Sequence, residues 1–247
     1  MVLKFSLLFF TAIFAGLVVY TVPTFKEKYF KLALVFAGSY LFSITILHIL
    51  PELFSSSFDP SRMGVYILLG FLLQQLLEFW SAGIEHGHIH SHHATSSKGV
   101  LTLMIGLFVH AFLEGTLLSH GESVLPQGLH AHSDKTILMG ILLHKAPAAF
   151  ALAAVLSSSL SKRWTLVLLS LFALASPIGM ISSSFFIASG TLSTEGLGIL
   201  FGLVTGGFLH ISTTIFFESS PHHTFQLNKL AVTFLAAALA IASEYFI

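Results

Sequence analysis

Two short polar segments stand out because they are set in otherwise apolar sequence: His110-Ala111-Phe112-Leu113-Glu114-Gly115 and His144-Lys145-Ala146-Pro147. His110 and Glu114 are four residues apart, so a helix presents both on one face. Two imidazoles and a carboxylate form a ligand set that suits a borderline divalent cation such as zinc. The same groups could relay protons, or an intramembrane histidine could simply hydrogen-bond to a neighbouring helix. An ionisable side chain in hydrocarbon costs roughly 2.5–3.5 kcal/mol on insertion scales, so four of them at similar depth point to a use.

Further candidates lie outside this pair. His48 and Glu52, in His48-Ile49-Leu50-Pro51-Glu52, are also four apart and fall near the outer boundary of a span. They could admit a cation, or they could be polar groups at an ordinary helix end. Glu85-His86-Gly87-His88-Ile89-His90-Ser91-His92-His93 places five imidazoles in one loop. Such a loop binds metal weakly and in several geometries. It could receive or sense metal, or be a flexible solvated connection. His120, Glu122, His130, His132 and Asp134 share another loop, and His222 and His223 follow Glu218. His210 differs, being inside an apolar stretch, where it could line a pathway or bond across helices.

The elements that must position these residues are membrane helices. Of the 247 residues, 55% are hydrophobic and only 9% charged, against about 25% charged in ordinary domains. A zero net charge gives no footprint for nucleic acid. The absence of cysteine excludes disulfides and thiolate ligands. A span needs about 20 apolar residues, and eight stretches qualify, near 3–22, 31–52, 63–84, 99–119, 136–157, 164–187, 194–217 and 226–246. The fold class expected is therefore all-α, a polytopic integral membrane protein, organised as one transmembrane domain over 1–247. Residues 3–22 run into Pro23 and a lysine cluster without a small-residue cleavage site, and read as a retained first helix.

Lys26, Lys28, Lys31, Lys98, Lys162, Arg163 and Lys229 fall on one side, and Lys4, Arg62 and Lys135 on the other. The positive-inside rule then makes the histidine-rich loop 85–98 cytoplasmic and both termini extracytoplasmic. His110 comes roughly 16 Å along the fourth span and His144 roughly 12 Å along the fifth, from opposite sides. Both fall near the midplane of a core about 30 Å thick. Pro147 frees the carbonyl of Leu143 and bends the fifth span, a device that can expose ligands.

On these residues the chain resembles the zinc–iron permease, or ZIP, family. The resemblance rests on His110-Ala-Phe-Leu-Glu114-Gly115 in the fourth span, His144-Lys145-Ala-Pro147 in the fifth and His48-Ile-Leu-Pro51-Glu52 in the second. Ser176-Pro177-Ile178-Gly179 and Gly206-Gly207-Phe208-Leu209 resemble the small-residue patches of the sixth and seventh. The resemblance implies a 3+2+3 arrangement of spans and import of divalent metal into the cytoplasm, with metal held between the fourth and fifth spans. It also implies a four-helix transport bundle moving against a scaffold, often in a homodimer. Many relatives bind a second metal there through positions that are Ala111, Lys145 and Ala148 in this chain. Lys145 is then expected to supply the charge of that second metal and to pair with Glu114 when no metal is bound; otherwise it snorkels to an interface.

The expected function is import of a divalent cation by alternating access around His110, Glu114 and His144. Zinc is the first choice, with iron(II), manganese, cobalt and nickel as alternatives. The metal is cargo, no cofactor is expected, and the partners are the ion and the lipid of a plasma or inner membrane. The reading is not enzymatic. The runner-up is a membrane-embedded metal-dependent hydrolase using the same ligands and a buried serine such as Ser176 or Ser182. A metal sensor resting on the loop histidines is a third class.

Overall fold

A computed structural model describes residues 1–21, 27–55, 58–81, 97–119, 131–218 and 227–246. Among these the regular structure is entirely helical. We number the long helices α1 (Val2–Thr21), α2 (Glu27–Ile44), α3 (Pro60–Ser81), α4 (Ser97–Thr116), α5 (Ala131–Ser159), α6 (Lys162–Ala188), α7 (Thr194–Glu218) and α8 (Leu227–Phe246). Helix α2 continues through one π turn, Thr45–Ile49, into a last α segment, Leu50–Ser55.

Seven helices among the described residues are long and apolar enough to cross a membrane, α1 to α7. The eighth expected span corresponds to α8, a 20-residue helix whose apolar part, Leu227–Ser243, is shorter. The protein is thus an all-α, multi-pass membrane protein. Phe10, Phe79, Phe185 and Phe234 stand exposed on its outside, as a lipid-facing surface requires, because hydrocarbon rather than water is the solvent there.

Two of the helix ends have clear local causes. α3 starts at Pro60 rather than 63 because Asp59 caps it: its Oδ1 accepts from the Ser61 N–H at 2.8 Å and the Arg62 N–H at 3.4 Å. Proline at the first helical position loses no needed donor. α6 ends where Gly190 takes φ +69°, and its N–H and that of Leu192 return to Ile187 and Phe186 carbonyls at 3.0 Å, a glycine-terminated cap.

The helices sort into two groups of four. In one, α4 packs on α6, and α1 packs on both α5 and α6; in the other, α3 packs on α7, and α2 on α8 and α7. The groups meet mainly where α3 touches α4 and α2 touches α5. Each group contains one glycine-mediated pair in which backbones touch. A Cβ on Gly115 or Gly179 would lie 2.0 Å from the carbonyl oxygen of Ser176 or Phe112, welding α4 to α6. A Cβ on Gly70 or Gly206 would lie 2.0 or 1.9 Å from the carbonyl oxygen of Leu203 or Ile67, joining α3 to α7. Without hydrophobic drive between helices in lipid, such close van der Waals contact is a principal source of association.

Candidate metal centre

Helices α4 and α5 bring His110, Glu114 and His144 to one point. His110 Nε2 lies 2.7 Å from Glu114 Oε1, and His144 Nε2 lies 2.5 Å from the same oxygen. The candidate ligand atoms all fall within 4.8 Å of one another, and all three residues are buried. Among the described residues no other group of three His or carboxylate side chains converges this way.

The outer nitrogens decide which face of each ring looks inward. His144 Nδ1–H donates to the Gly140 carbonyl on its own helix at 2.8 Å. His110 Nδ1–H donates to Gln74 Oε1 on α3 at 2.9 Å. With Nδ1 protonated in both neutral rings, both Nε2 lone pairs face the carboxylate. Three electron-rich atoms meeting at one place require a positive particle between them, a proton or a metal ion. Around a tetrahedral zinc with bonds near 2.1 Å, neighbouring ligand atoms sit about 3.4 Å apart. The observed 2.7 and 2.5 Å contacts would therefore open by about 0.7–0.9 Å on admitting such an ion.

Lys145 sits next to this cluster and is 1% exposed, so it does not snorkel to an interface. Nor does it make the direct ion pair with Glu114 expected of it. Its Nζ donates to Ser176 Oγ on α6 at 2.7 Å and lies 4.4 Å from the centre of the Phe172 ring. The ammonium is thereby supplied with a hydroxyl acceptor and an aromatic face, while Glu114 acts on it at longer range. Pro147 lies inside α5, which continues unbroken to Ser159.

The other candidates fare differently. His48 falls in the π turn, where the Leu50 N–H returns to the Thr45 carbonyl just before Pro51. The π geometry changes the one-face relation assumed for His48 and Glu52, and the two are not part of a ligand cluster. His48 Nε2 is buried without a hydrogen-bond partner among the described residues. His86, His88, His90, His92 and His93 lie outside the described residues, as do His120, Glu122, His130, His222 and His223 and the side chains of His132, Asp134 and Glu218. His210 pairs through Nε2 with Glu78 Oε2, joining α7 to α3.

Sequence reasoning passed over Gln74 and Glu78, which sit four apart on α3. The signal was there, since the cost of an intramembrane carboxylate applies to Glu78 as much as to Glu114. An apolar window around them averaged it away.

No family model matches the chain. Among curated proteins it is similar to Zinc transporter ZIP9 of Micropogonias undulatus, 31% identical over 164 residues that cover 61% of this chain and 49% of that protein. It is similar also to Zinc transporter ZIP9-A of Xenopus laevis and Zinc transporter ZIP9 of Xenopus tropicalis, each 28% identical over 158 residues, with 61% of this chain and 50% of the relative covered. The chain spans about half the length of these relatives. On this likeness, and on the motifs that meet between α4 and α5, the chain is similar to ZIP-family zinc transporters.

Proposed function

We propose that the protein carries a divalent cation, zinc first, across the membrane into the cytoplasm by alternating access around His110, Glu114 and His144. The observation that carries this reading is the convergence of two imidazole nitrogens and one carboxylate oxygen at a buried point of a multi-pass protein. Its relatives' name as zinc transporters supports the choice of cargo. The ligands replace part of the ion's hydration, and the small expansion they must undergo gives the ion a way to be held and released without covalent change. Loop charge puts the histidine-rich segment inside and both termini outside. The homodimer that the family resemblance implies belongs to the same proposal.

Lys145 takes the place of a second metal. Ser176 and Phe172 hold the Lys145 ammonium next to the cluster, which leaves one ion as cargo. Lys145→Asp then raises zinc stoichiometry; unchanged stoichiometry and uptake would refute the role.

The Lys145–Ser176 contact is also a geometry a hydrolase could use, with a neutral lysine amine taking the serine proton. Proteoliposome flux separates the two. With purified protein as the only component, radiolabelled zinc accumulates with the wild type and not with Glu114→Ala or His144→Ala, and unlabelled competing metals rank the cargo. If both variants transport normally, the site assignment fails; if no metal moves and a lipid or peptide ester is cleaved, the transport reading fails.

A further inference from the structure

The two histidines of the centre are held by different means. The Nδ1–H of His144 is bonded to Gly140, on the same helix, so its orientation travels with α5. The Nδ1–H of His110 is bonded to Gln74, on α3, which belongs to the other helix group. Gln74 is 3% exposed and Gly207 of α7 lies against it, so water cannot substitute readily for the amide. Gln74, His110 and Glu114 line one cleft between α3, α4 and α7.

We propose that Gln74 is a positioning residue for the metal centre, fixing the tautomer and ring plane of His110 from across the boundary between the two helix groups. The proposal rests on the reading of His110, Glu114 and His144 as a cation site. While Gln74 accepts from Nδ1–H, the Nε2 lone pair of His110 faces Glu114 and the third ligand is preorganised. Any sliding of the α3/α7 pair past α4 breaks this bond and leaves the His144 bond intact. His110 alone is then released to turn or change tautomer, and the centre loses one ordered ligand. Cation affinity is thereby tied to the relative position of the helix groups through a single hydrogen bond. Outer partners of ligating histidines typically carry 10–100-fold in metal affinity.

The test is zinc affinity of the purified full chain, measured by competition with a chromophoric chelator, for the wild type, Gln74→Leu, Gln74→Glu and Glu114→Ala. Gln74→Leu is expected to weaken binding about 10–100-fold, and Gln74→Glu, which keeps an oxygen acceptor, to return it to within a few-fold of the wild type. A merely structural role gives the opposite order, since a buried leucine is tolerated where an additional buried carboxylate is not. In uptake, Gln74→Leu raises the half-saturating zinc concentration more than it lowers the maximal rate. Should the leucine variant fail to fold, Gln74→Asn, too short to reach His110, puts the same question. Wild-type affinity in Gln74→Leu, or equal loss in Gln74→Leu and Gln74→Glu, would overturn the proposal while Glu114→Ala still abolishes binding. Unchanged binding in Glu114→Ala would instead sink the cation site itself, and the proposal with it.

Discussion

Gly115 is the residue at which fold and centre are most directly coupled, and Gly115→Ala tests that coupling. Its Cβ would lie 2.0 Å from the Ser176 carbonyl oxygen, about 1.4 Å short of the 3.4 Å at which ordinary contact begins. The obstacle is backbone, which cannot rotate aside as a side chain can. Replacing glycine by alanine inside a helix contributes up to about 1 kcal/mol. Overpacking typically costs about 1–3 kcal/mol, occasionally more, and a backbone clash of this depth belongs at or above the top of that range. The net expectation is a loss of about 2 kcal/mol, or a fall in melting temperature of roughly 4–8 °C for a chain of this size. Gly64 is the control, because nothing lies within 4 Å of a Cβ there; Gly64→Ala should melt at or slightly above the wild type. Separating α4 from α6 also carries the adjacent Glu114 away, and a displacement near 1 Å exceeds the tolerance of a preorganised site, about 0.5 Å. Zinc affinity should fall together with stability. The measurement is thermal unfolding in detergent, followed by zinc titration at low temperature. If Gly115→Ala melts as high as Gly64→Ala and binds zinc normally, the packing argument is wrong.

Two further outcomes follow from the contacts around the centre. Ser176→Ala leaves the buried Lys145 ammonium without its hydroxyl acceptor and should cost about 1–3 kcal/mol; the double variant with Lys145→Met, which removes the charge as well, should recover most of it, and a Ser176→Ala protein as stable as the wild type would refute the contact's importance. Protons compete with the cation for the imidazole nitrogens and the carboxylate, so zinc affinity should fall on going from about pH 7.5 to about pH 5.5; an affinity that is flat or rises in acid would exclude neutral histidines as ligands.

The helices were legible because lipid permits few solutions: about 20 apolar residues per crossing and every backbone group satisfied within the helix. The start of α3 was misjudged by three residues although Asp59-Pro60 is a local cap signal. Hydropathy begins later than hydrogen bonding does. His110, Glu114 and His144 could be placed near one another because a four-residue spacing and a depth are local quantities. The partner of Lys145 could not be read this way. Whether its side chain meets Glu114 or Ser176 depends on how far α5 and α6 are rotated about their axes, and α6 is set by its close contact with α4 at Gly115 and Gly179. The small-residue patches of the sixth and seventh spans were visible in sequence, but their mates were not, because close approach is a property of two helices.

The described residues include two His–Glu arrangements inside the helices, and their difference favours a cation at only one of them. Glu78 and His210 bring one imidazole to one carboxylate, both in the group that holds α3 and α7. A single proton can bridge that contact, which ties two helices together. At the other arrangement two imidazoles address one carboxylate oxygen, and both outer nitrogens are already committed, to Gln74 and to Gly140. There the donors exceed what one proton can bridge, and the ring orientations suit a ligand that accepts two lone pairs and a negative charge together. On the proposed reading, a divalent ion meets that demand more fully than a helix-to-helix hydrogen bond does. The distinction turns on stoichiometry and tautomer rather than on residue type, which is why neither the presence of histidine nor its depth identifies a metal centre alone.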